Sequence, residues 1–346
     1  MALRNNQGGN AVADARMTGA LPRVSIVTET LTPQEGEESV GEAMTRLSAA
    51  IAAQSYPRDL VELVVVIDPV MPAGDRAELA ASVPGATLIE GNNSHYLAAK
   101  NRGAAAAGHD LLVFLDSDCV PVPTWLESLI GAVTPARGGA VGRTRYAGDG
   151  LFLRSASALI FGGAWLGQGG EASAVNINNL AIRRDLYRQF GLNEDIPRNG
   201  GCYLLFHQLR AHGHRFGYAP DAVVLHPPEP GVAGFFHRQW ERGYDSAFVY
   251  RLDRDAVLRG TRWVERLGPF ALVAISGRRL AIDWRNLFVS RRIFGLRRRE
   301  LPFALAMFGA VRATELTGAV AGYFAARGRA GAQPTSRSGP SRAGTG

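Results

Sequence analysis

Short apolar runs alternate with longer segments of helical periodicity in the N-terminal part of this chain. The runs at residues 23–28 and 111–115 are rich in Val, Ile and Leu, which is typical of strands buried on both faces. Two further runs, at residues 60–67 and 86–90, predict additional strands. The intervening segments that predict helices are residues 39–54, 75–82 and 96–107.

Strands that alternate with helices predict a parallel sheet with right-handed crossovers, and therefore an α/β fold. Another helix is predicted from Pro123 to about Val133. Beyond it the alternation becomes irregular, and the glycine cluster at residues 162–170 predicts a mobile loop over the edge of the sheet. This cluster lacks the strand–turn–helix context of a dinucleotide-binding fingerprint, and the sequence contains no G-x-x-x-x-G-K-[ST] phosphate loop.

Two carboxylates follow the run at residues 111–115, in the sequence L-L-V-F-L-D-S-D-C. Asp116 and Asp118 thus stand at the C-terminal end of a central strand, which is where open α/β sheets bind ligands. Mg²⁺ and Mn²⁺ prefer carboxylate oxygens and keep positions free for substrate phosphates. The pair therefore indicates a metal site for a diphosphate-bearing substrate. The alternative is an aspartate-rich turn that caps the next element.

Composition and charge set the class of protein. The 346 residues are 46% hydrophobic and 20% charged, which is typical of a packed globular chain. Two cysteines without a regular spacing predict neither a disulfide framework nor a zinc site, and they fit a reducing compartment. The net charge is +7, and arginines concentrate at residues 278–299. This basic block indicates an anionic surface, and residues 1–21 predict a disordered segment rather than a secretory signal.

Four features in a fixed order resemble family 2 glycosyltransferases with the A-type fold. They are a strand that ends in Thr30, a strand that ends in Asp68, the helical A-K-N-R-G segment at residues 99–103, and F-L-D-S-D at residues 114–118. The resemblance covers about residues 22–250. It implies a single Rossmann-like domain with a mostly parallel central sheet flanked by helices, a nucleoside-diphosphate sugar as donor, and Mg²⁺ or Mn²⁺ as cofactor.

The resemblance also assigns residues to the donor side. It implies that Thr30, Asp68 and Lys100, together with Asp116, contact the nucleotide, and that Asp116 and Asp118 bind the metal. Lys100 stands where many members have arginine, so the positive charge is kept but the bidentate fork is lost. Without the resemblance, Thr30 and Asp68 are interpreted as ordinary residues at strand ends.

On the acceptor side the chain departs from the family pattern. The family's Glu-Asp pair, whose aspartate acts as general base, falls on Gly201 and Cys202. General-base catalysis contributes about 10²–10⁴-fold, and a thiol with a pKa near about 8.5 replaces an aspartate poorly unless a helix N-terminus stabilises the thiolate. Three alternatives remain open: Glu194 or Asp195 reaches the acceptor, the acceptor is itself a phosphate or carboxylate that needs no base, or the protein binds without turnover.

Two further elements match the family near the diphosphate. His226 ends the apolar run at residues 222–225, and in the family such a histidine approaches the metal or the diphosphate. Arg238 and Arg242 are four residues apart and therefore share one face of a helix, which the resemblance places over the donor diphosphate. The alternatives are a histidine bonded to backbone and, because of Glu241, an ordinary solvated helix face.

The C-terminal third predicts two apolar helices beside the basic block. Residues 303–326 are apolar, but Arg312 and Glu315 interrupt them, which disfavours a membrane-spanning helix because each such charge costs about 2.5–3.5 kcal/mol at the bilayer centre. These helices instead suit peripheral association with the anionic inner face of the cell membrane from the cytoplasm. The alternative is that these helices cover the sheet or form a homodimer contact.

The sequence therefore predicts a metal-assisted glycosyltransferase that moves a sugar from a nucleoside-diphosphate donor to a lipid, polysaccharide or small-molecule acceptor, with no nucleic-acid partner. The alternative is a catalytically silent protein of the same fold that binds sugar nucleotides or glycans. The expected organisation is a disordered N-terminus (1–21), a nucleotide-sugar-binding half (22–135), an acceptor-binding half of the same domain (136–255), a helical region (256–327) and a disordered tail (328–346).

Overall fold

The structure is a computed structural model that describes residues 21–31, 39–166, 170–258 and 262–332. Residues 1–20 of the expected disordered N-terminus and 333–346 of the expected disordered tail fall outside these residues, whereas residues 328–332 of that tail belong to the last helix. Eight strands form one sheet in the order β3-β2-β1-β4-β7-β6-β8-β5. The strands are β1 (Val24–Glu29), β2 (Val61–Ile67), β3 (Thr87–Glu90), β4 (Leu111–Phe114), β5 (Val120–Pro121), β6 (Gly139–Tyr146), β7 (Leu180–Arg183) and β8 (Phe216–His226).

The helices surround this sheet and continue beyond it at the C-terminus. They are α1 (Val40–Ala52), α2 (Ala73–Ser82), α3 (Tyr96–Ala106), α4 (Trp125–Gly131), α5 (Leu151–Ile160), α6 (Arg184–Phe190), α7 (Gly201–Ala211), α8 (Gly231–Leu252), α9 (Arg254–Leu258), α10 (Ala271–Ser290) and α11 (Leu301–Ala332). The predicted helices at residues 39–54, 75–82, 96–107 and 123–133 are confirmed as α1 to α4. The first of them begins at a capping box in which Ser39 and Glu42 satisfy each other's backbone N–H groups.

The prediction of a mobile loop is wrong for residues 162–166, which form a 3₁₀ helix. Ser173 holds this turn in place, because its N–H donates to the Ala164 carbonyl and its hydroxyl to the Gly163 carbonyl. Residues 167–169 of the same glycine cluster lie outside the described residues. The described part of this turn is largely buried and hydrogen-bonded to the fold.

The sheet is mostly parallel where the sequence predicts it. Strand β1 pairs in parallel with β2 and β4, β2 with β3, and β6 with β8. Strand β7 runs antiparallel between β4 and β6, and β5 runs antiparallel to β8. The C-terminal ends of β1, β2 and β4 consequently lie at one edge of the sheet, and the end of β8 reaches the same region through β6.

Apolar side chains of the central strands alternate between two cores. Val24, Ile26 and Val113 pack into one core, whereas Val27 and Phe114 pack into the other. Because successive residues of a strand point to opposite faces, each buried run of the sequence serves both layers of helices. Strand β3 is the exception, since it forms the edge and is mostly exposed.

The C-terminal helices are joined to the rest of the fold by direct backbone contact. A Cβ atom on Gly318 of α11 would lie 2.0 Å from the Trp240 carbonyl oxygen of α8, and one on Gly243 would lie 2.0 Å from the Glu315 carbonyl oxygen. Only glycine permits so close a crossing of two helices. The α8 helix, which carries Arg238 and Arg242, is therefore covered by α11.

Polar groups inside this appendage satisfy one another. Arg312 of α11 lies 2.6 Å from Asp283 of α10 and also pairs with Glu315. Among the described residues, the helical segment Arg298–Ala325 is long and apolar enough, by length and composition, to cross a membrane. Its 18-residue apolar window has a mean hydropathy of 1.2, and 33% of that window is buried. The charges that interrupt this segment are thus paired within the fold.

Candidate active site

The first two strands end in residues that contact each other. Thr30 follows β1, and its hydroxyl accepts a hydrogen bond from the Asp68 N–H at 2.9 Å. The Asp68 carboxylate in turn accepts hydrogen bonds from the Ser94 hydroxyl at 2.6 Å and from the Val70 N–H at 3.2 Å. The structure therefore brings together the two strand-end residues that the resemblance assigns to the nucleotide.

Lys100 is completely buried beneath the end of β4. Its Nζ lies 2.6 Å from Asp116 Oδ1 and 3.5 Å from Glu29 Oε1, and it donates to the Leu115 carbonyl at 3.1 Å. The Tyr96 hydroxyl, one helical turn earlier, also donates to Asp116 Oδ1 at 2.8 Å. Lys100 thus holds Asp116 in place from inside the protein, with its ammonium engaged by protein oxygens.

These contacts fix the charge states of the cluster. Burial disfavours the charged form of Lys100, but the carboxylates of Asp116 and Glu29 outweigh it and raise the pKa of the lysine. Burial likewise acts to raise the pKa of Asp116, but the charge and hydrogen bond of Lys100 and the hydrogen bond of Tyr96 lower it below its usual value. Asp116 is therefore an anion at neutral pH. Lys100 and Tyr96 both contact its Oδ1, and neither contacts its Oδ2.

Asp116, Asp118, Cys119 and His226 form one group of potential metal ligands. One ligand atom from each lies within 4.8 Å of the others. His226 Nε2 is 3.7 Å from Asp118 Oδ2, and its Nδ1 lies 2.6 Å from the Pro227 carbonyl oxygen. A proton on Nδ1 satisfies that carbonyl and leaves Nε2 as the ligand atom.

Asp118 is the strongest sign that this group holds a cation. The carboxylate is buried, and its Oδ1 has no hydrogen-bond partner among the described residues. Burial raises the pKa of Asp118, and the Asp116 charge raises it further against the opposing effect of His226. A buried carboxylate oxygen without a partner is costly, and a divalent cation would relieve that cost. Two carboxylates and an imidazole form a donor set that suits Mn²⁺ better than Mg²⁺.

Cys119 is a weaker ligand than its position suggests. Burial and the charges of Asp118 and Asp116 raise the pKa of its thiol well above the ordinary value. Metal ligation requires the thiolate. The carboxylates and the imidazole therefore carry the metal-binding capacity of the group.

Arg238 and Arg242 project from α8 toward the same region. Arg238 lies 2.9 Å from Glu241 Oε2, and only 19% of its side chain is exposed, so this part of α8 is not a fully solvated helix face. The positive charges of both arginines act on the buried Tyr146 hydroxyl, and that of Arg242 also acts on Cys202. Arg242 is therefore close enough to act on both Tyr146 and the first turn of α7.

Cys202 occupies that first turn, directly after Gly201. Burial raises the pKa of its thiol, and neither the backbone N–H groups at the helix start nor the charge of Arg242 reverses the shift. The thiolate is consequently scarce at neutral pH. The condition under which a cysteine could replace the family's aspartate as general base, stabilisation by the helix N-terminus, is not met.

Glu194 and Asp195 lie in the exposed connection between α6 and α7. Glu194 Oε1 accepts a hydrogen bond from the Asn101 amide at 2.8 Å, which attaches this connection to α3. The Asp195 N–H donates to the Asn193 side chain at 2.8 Å. Both residues are exposed, and the Glu194 carboxylate is already engaged by Asn101.

Three functional neighbours escaped the sequence interpretation. Glu29 shares Lys100 with Asp116, Tyr96 fixes Asp116 Oδ1, and Glu229 accepts a hydrogen bond from the Tyr146 hydroxyl at 3.2 Å. The spacing of Tyr96 and Lys100, four residues apart on α3, was a signal that both face the same strand end. Nothing in the sequence distinguished Glu229 from other loop carboxylates.

Comparison with known proteins fixes the family. The model of glycosyl transferase family 2 matches residues 35–207, which is half of the chain. The chain belongs to glycosyltransferase family 2. It is therefore an enzyme that transfers glycosyl groups, and the alternative of a silent binding protein is set aside.

One curated relative and one solved structure agree with this family. Glycosyltransferase AglE of Haloferax volcanii is 26% identical over 253 residues, which cover 70% of this chain and 79% of the relative. The structure of mannosyltransferase PcManGT from Pyrobaculum calidifontis, in complex with GDP-Man and Mn²⁺, superposes with a TM-score of 0.56 at 16% identity and 88% coverage of both chains. The A-type fold predicted for this family 2 member is thus confirmed.

Proposed function

We propose that this family 2 enzyme takes its sugar from a nucleoside-diphosphate donor and uses a divalent cation held by Asp116, Asp118 and His226. The observation that carries the proposal is the buried Asp118 Oδ1, which has no hydrogen-bond partner among the described residues and lies close to a second carboxylate and an imidazole. A structural neighbour that binds GDP-Man and Mn²⁺ supports this choice of ligands.

On the donor side, Thr30 and Asp68 bind the nucleoside and Arg238 and Arg242 bind the diphosphate. A cation held by these residues would supply positive charge against the leaving diphosphate. The two guanidiniums add fixed positive charge where negative charge develops in the transition state. Lys100 acts through Asp116, because its ammonium keeps that carboxylate ionised and oriented.

Titration with nucleotides tests the proposal. We expect UDP or GDP to bind in isothermal titration calorimetry with Mn²⁺ and to bind at least tenfold more weakly without it. Asp118→Asn is expected to abolish the metal dependence, whereas Asp59→Asn, at an exposed carboxylate, is the matched control that should retain it. Equal binding with and without Mn²⁺ would contradict the assignment of the metal ligands. A thermal-shift panel of nucleotide sugars then identifies the donor, since a ligand that binds only the native state raises its melting temperature.

The C-terminal helices supply a membrane-facing surface in this proposal, which places the enzyme at the inner face of the cell membrane. Val273, Trp284 and Phe288 are exposed on α10. Trp284 lies about three turns after Val273 and Phe288 about four turns after it, so the three side chains share one face of the helix. Exposed arginines that can meet anionic lipid head groups flank this face; they are Arg279, Arg285, Arg292, Arg297, Arg298 and Arg299.

Flotation with vesicles tests this surface. The full chain should float with vesicles of phosphatidylglycerol and phosphatidylcholine and less with phosphatidylcholine alone, because the arginines attract anionic lipid. Trp284→Ser/Phe288→Ser should weaken flotation, while Leu88→Ser, at an exposed position on β3, should not. If the double variant floats as well as the wild type, the surface is not a lipid contact, and a change in its oligomeric state would assign it to a homodimer instead.

A further inference from the structure

A basic pocket of about 250 Å³ lies beside the metal-ligand group, and we refer to it as the arginine pocket. Arg143, Arg145 and Tyr146 at the end of β6 line it, together with Arg154 of α5 and with Ile293 and Phe294 from the connection between α10 and α11. Both the catalytic domain and the C-terminal appendage therefore contribute to its walls. None of the donor-side residues assigned above belongs to it.

Two arginines that line the arginine pocket each carry a buried donor that the described residues do not use. The Nε atoms of Arg143 and Arg154 are buried and have no hydrogen-bond partner within the described part of the chain. Buried polar atoms are otherwise almost always satisfied, and an unpaired donor on a cation is particularly costly. No solvent reaches these two Nε atoms, so the pocket presents to a ligand the positive charge of the guanidiniums rather than these two donors.

The charges around the arginine pocket favour an anion. Arg154 is balanced by Glu300, whose Oε1 lies 2.9 Å from its Nη2. Arg145 is paired only loosely, at 3.4 Å, with Asp149, whose side chain is 90% exposed. Glu229 is a third carboxylate nearby, since it accepts a hydrogen bond from Tyr146. Among the described residues, however, Arg143 forms no ion pair, and the Asp149 side chain is largely solvated. Guanidinium groups match the geometry of phosphate oxygens, to which they donate two parallel hydrogen bonds.

The position of the arginine pocket links it to the reaction centre. The ring of Tyr146 packs edge-on against the His226 ring, with centroids 5.7 Å apart, and His226 is 3.7 Å from Asp118. Tyr146 therefore both lines the pocket and contacts a residue of the metal-ligand group. The volume is below the ~300–1,000 Å³ typical of pockets for drug-sized ligands, so it suits a head group rather than a whole acceptor.

We propose that the arginine pocket binds the phosphate of the acceptor, and that an oxygen of this phosphate is the nucleophile. This inference rests on the proposed function. A phosphate oxygen attacks C1 of the donor sugar, the bond from C1 to the diphosphate breaks, and the nucleoside diphosphate leaves with that electron pair. A phosphate monoester dianion becomes a glycosyl phosphodiester monoanion, and the donor's diphosphate gains one negative charge, so no proton has to be removed.

This chemistry accounts for the missing general base. An acceptor hydroxyl must lose a proton as it attacks, but the Cys202 thiol has a raised pKa and Glu194 and Asp195 are exposed in a loop. A phosphate monoester is already ionised at neutral pH and needs none of them. Of the three alternatives for the acceptor side, the arginine pocket supports the second, in which the acceptor is a phosphate and needs no base.

Direct binding tests the arginine pocket without reference to the donor. We expect decyl phosphate to bind the full chain in isothermal titration calorimetry and decanol to bind at least tenfold more weakly. Arg143→Gln and Arg145→Gln should each weaken decyl phosphate binding about tenfold or more, because each removes charge-assisted hydrogen bonds. Arg188→Gln, at an exposed arginine of α6, is the matched control. Melting temperatures of all variants establish that they are folded.

Unchanged binding of decyl phosphate to both pocket variants would overturn the proposal. A second arm uses glycerol 3-phosphate, which has the same reacting group without an apolar tail. Tighter binding of decyl phosphate identifies a lipid phosphate, since Phe288 and Val289 are exposed on α10, just before the connection that lines the pocket. Equal binding of the two identifies a soluble phosphate.

Transfer assays separate this inference from the proposed function. With the donor found by the thermal-shift panel, mass spectrometry should detect a glycosyl phosphodiester from decyl phosphate and no glycoside from decanol. Arg143→Gln should raise the KM for the phosphate acceptor and leave the KM for the donor unchanged. Efficient transfer to decanol would overturn the role of phosphate while leaving the glycosyltransferase reaction intact. Loss of Mn²⁺-dependent nucleotide binding would instead count against the proposed function.

Discussion

Lys100 Nζ lies 2.6 Å from Asp116 Oδ1 in the interior of the protein, and the lysine side chain has no exposure to solvent. The same ammonium is 3.5 Å from the buried Glu29 carboxylate. One cation therefore compensates two buried anions at the ends of β1 and β4. This arrangement keeps Asp116 charged and oriented before any ligand arrives.

Removal of the Lys100 charge should strongly destabilise the fold. In Lys100→Met, the carboxylates of Asp116 and Glu29 remain buried without their cation, and breaking a buried ion pair in this way costs about 3–5 kcal/mol. Urea denaturation measures the change in the free energy of unfolding. Arg215→Gln breaks an exposed pair with Glu171 and should cost less than about 1 kcal/mol. Equal effects of the two variants would argue against the buried cluster.

Asp118→Asn should leave the metal-free protein at least as stable as the wild type. Burial raises the pKa of Asp118, so the ionised carboxylate is unfavourable in the fold, and a neutral amide relieves that cost. The wild type should gain about 2.7 kcal/mol at a Mn²⁺ concentration of 100 Kd, and the variant should gain almost nothing. Thermal unfolding with and without Mn²⁺ measures both effects. A variant that is clearly less stable without metal would show that Asp118 has a structural role.

Asp245 should make the stability of the protein depend on pH. Its carboxylate accepts two hydrogen bonds from Asn199, at 2.7 and 2.8 Å, yet burial raises its pKa above the ordinary value. The native state therefore holds this proton more tightly than the unfolded state, and the stabilisation present below about pH 4 is lost as the pH rises through the raised pKa.

Asp245→Asn keeps an acceptor oxygen for Asn199 and removes the titration. We expect the free energy of unfolding of the variant, minus that of the wild type, to increase from about pH 4 to about pH 7. Urea denaturation at several pH values measures this difference. Asp75→Asn, at an exposed carboxylate of α2, is the control. A difference that falls as the pH rises would mean that the pKa of Asp245 is lowered instead.

Replacement of the Cys202 thiol should have little effect on turnover. Because its raised pKa keeps it protonated, Cys202→Ser should retain transfer to within about threefold, whereas loss of a true general base costs about 10²–10⁴-fold. Initial rates at saturating donor and acceptor test this expectation. Slow reaction of wild-type Cys202 with iodoacetamide at neutral pH, increasing in alkaline buffer, would report the same raised pKa.

The glycine contact between α8 and α11 should not tolerate a methyl group. In Gly318→Ala the new Cβ would lie 2.0 Å from the Trp240 carbonyl oxygen, so the helices must separate, at a cost of about 1–3 kcal/mol. Gly309 lies on the same helix with nothing within 4 Å of its would-be Cβ. Gly309→Ala should therefore stabilise the protein by about 0.4–1 kcal/mol. Melting temperatures that shift in opposite directions would bear out the contact.

The sequence reveals those parts of the site that depend on strand ends. Asp116 and Asp118 follow a buried run, and Thr30 and Asp68 end two others. Because parallel strands place their C-terminal ends at one edge, these residues could be expected to lie in one region. Their roles toward nucleotide and metal remain predictions that the proposed titrations address.

Other features depend on packing that no local pattern records. Lys100 stands in an alanine-rich helix and carries a charge that usually indicates solvent, but the fold buries it against Glu29 and Asp116. Strand β8 is displaced relative to β6 by a register shift between Gly142 and Arg143, which no periodicity predicts. The arginine pocket combines Arg143 and Arg154 with Phe294, far away along the chain, so only the folded structure brings its walls together.

The touching backbones of α8 and α11 also limit how this enzyme can be shortened. A recombinant fragment that stops near residue 260 would lack Gly318, uncover the Trp240 carbonyl and leave the helix that carries Arg238 and Arg242 without its cover. Such a fragment would be inactive for reasons unrelated to lipid, so loss of function on truncation would say nothing about anchoring. Useful shortened forms must keep the final helix and be trimmed only beyond it.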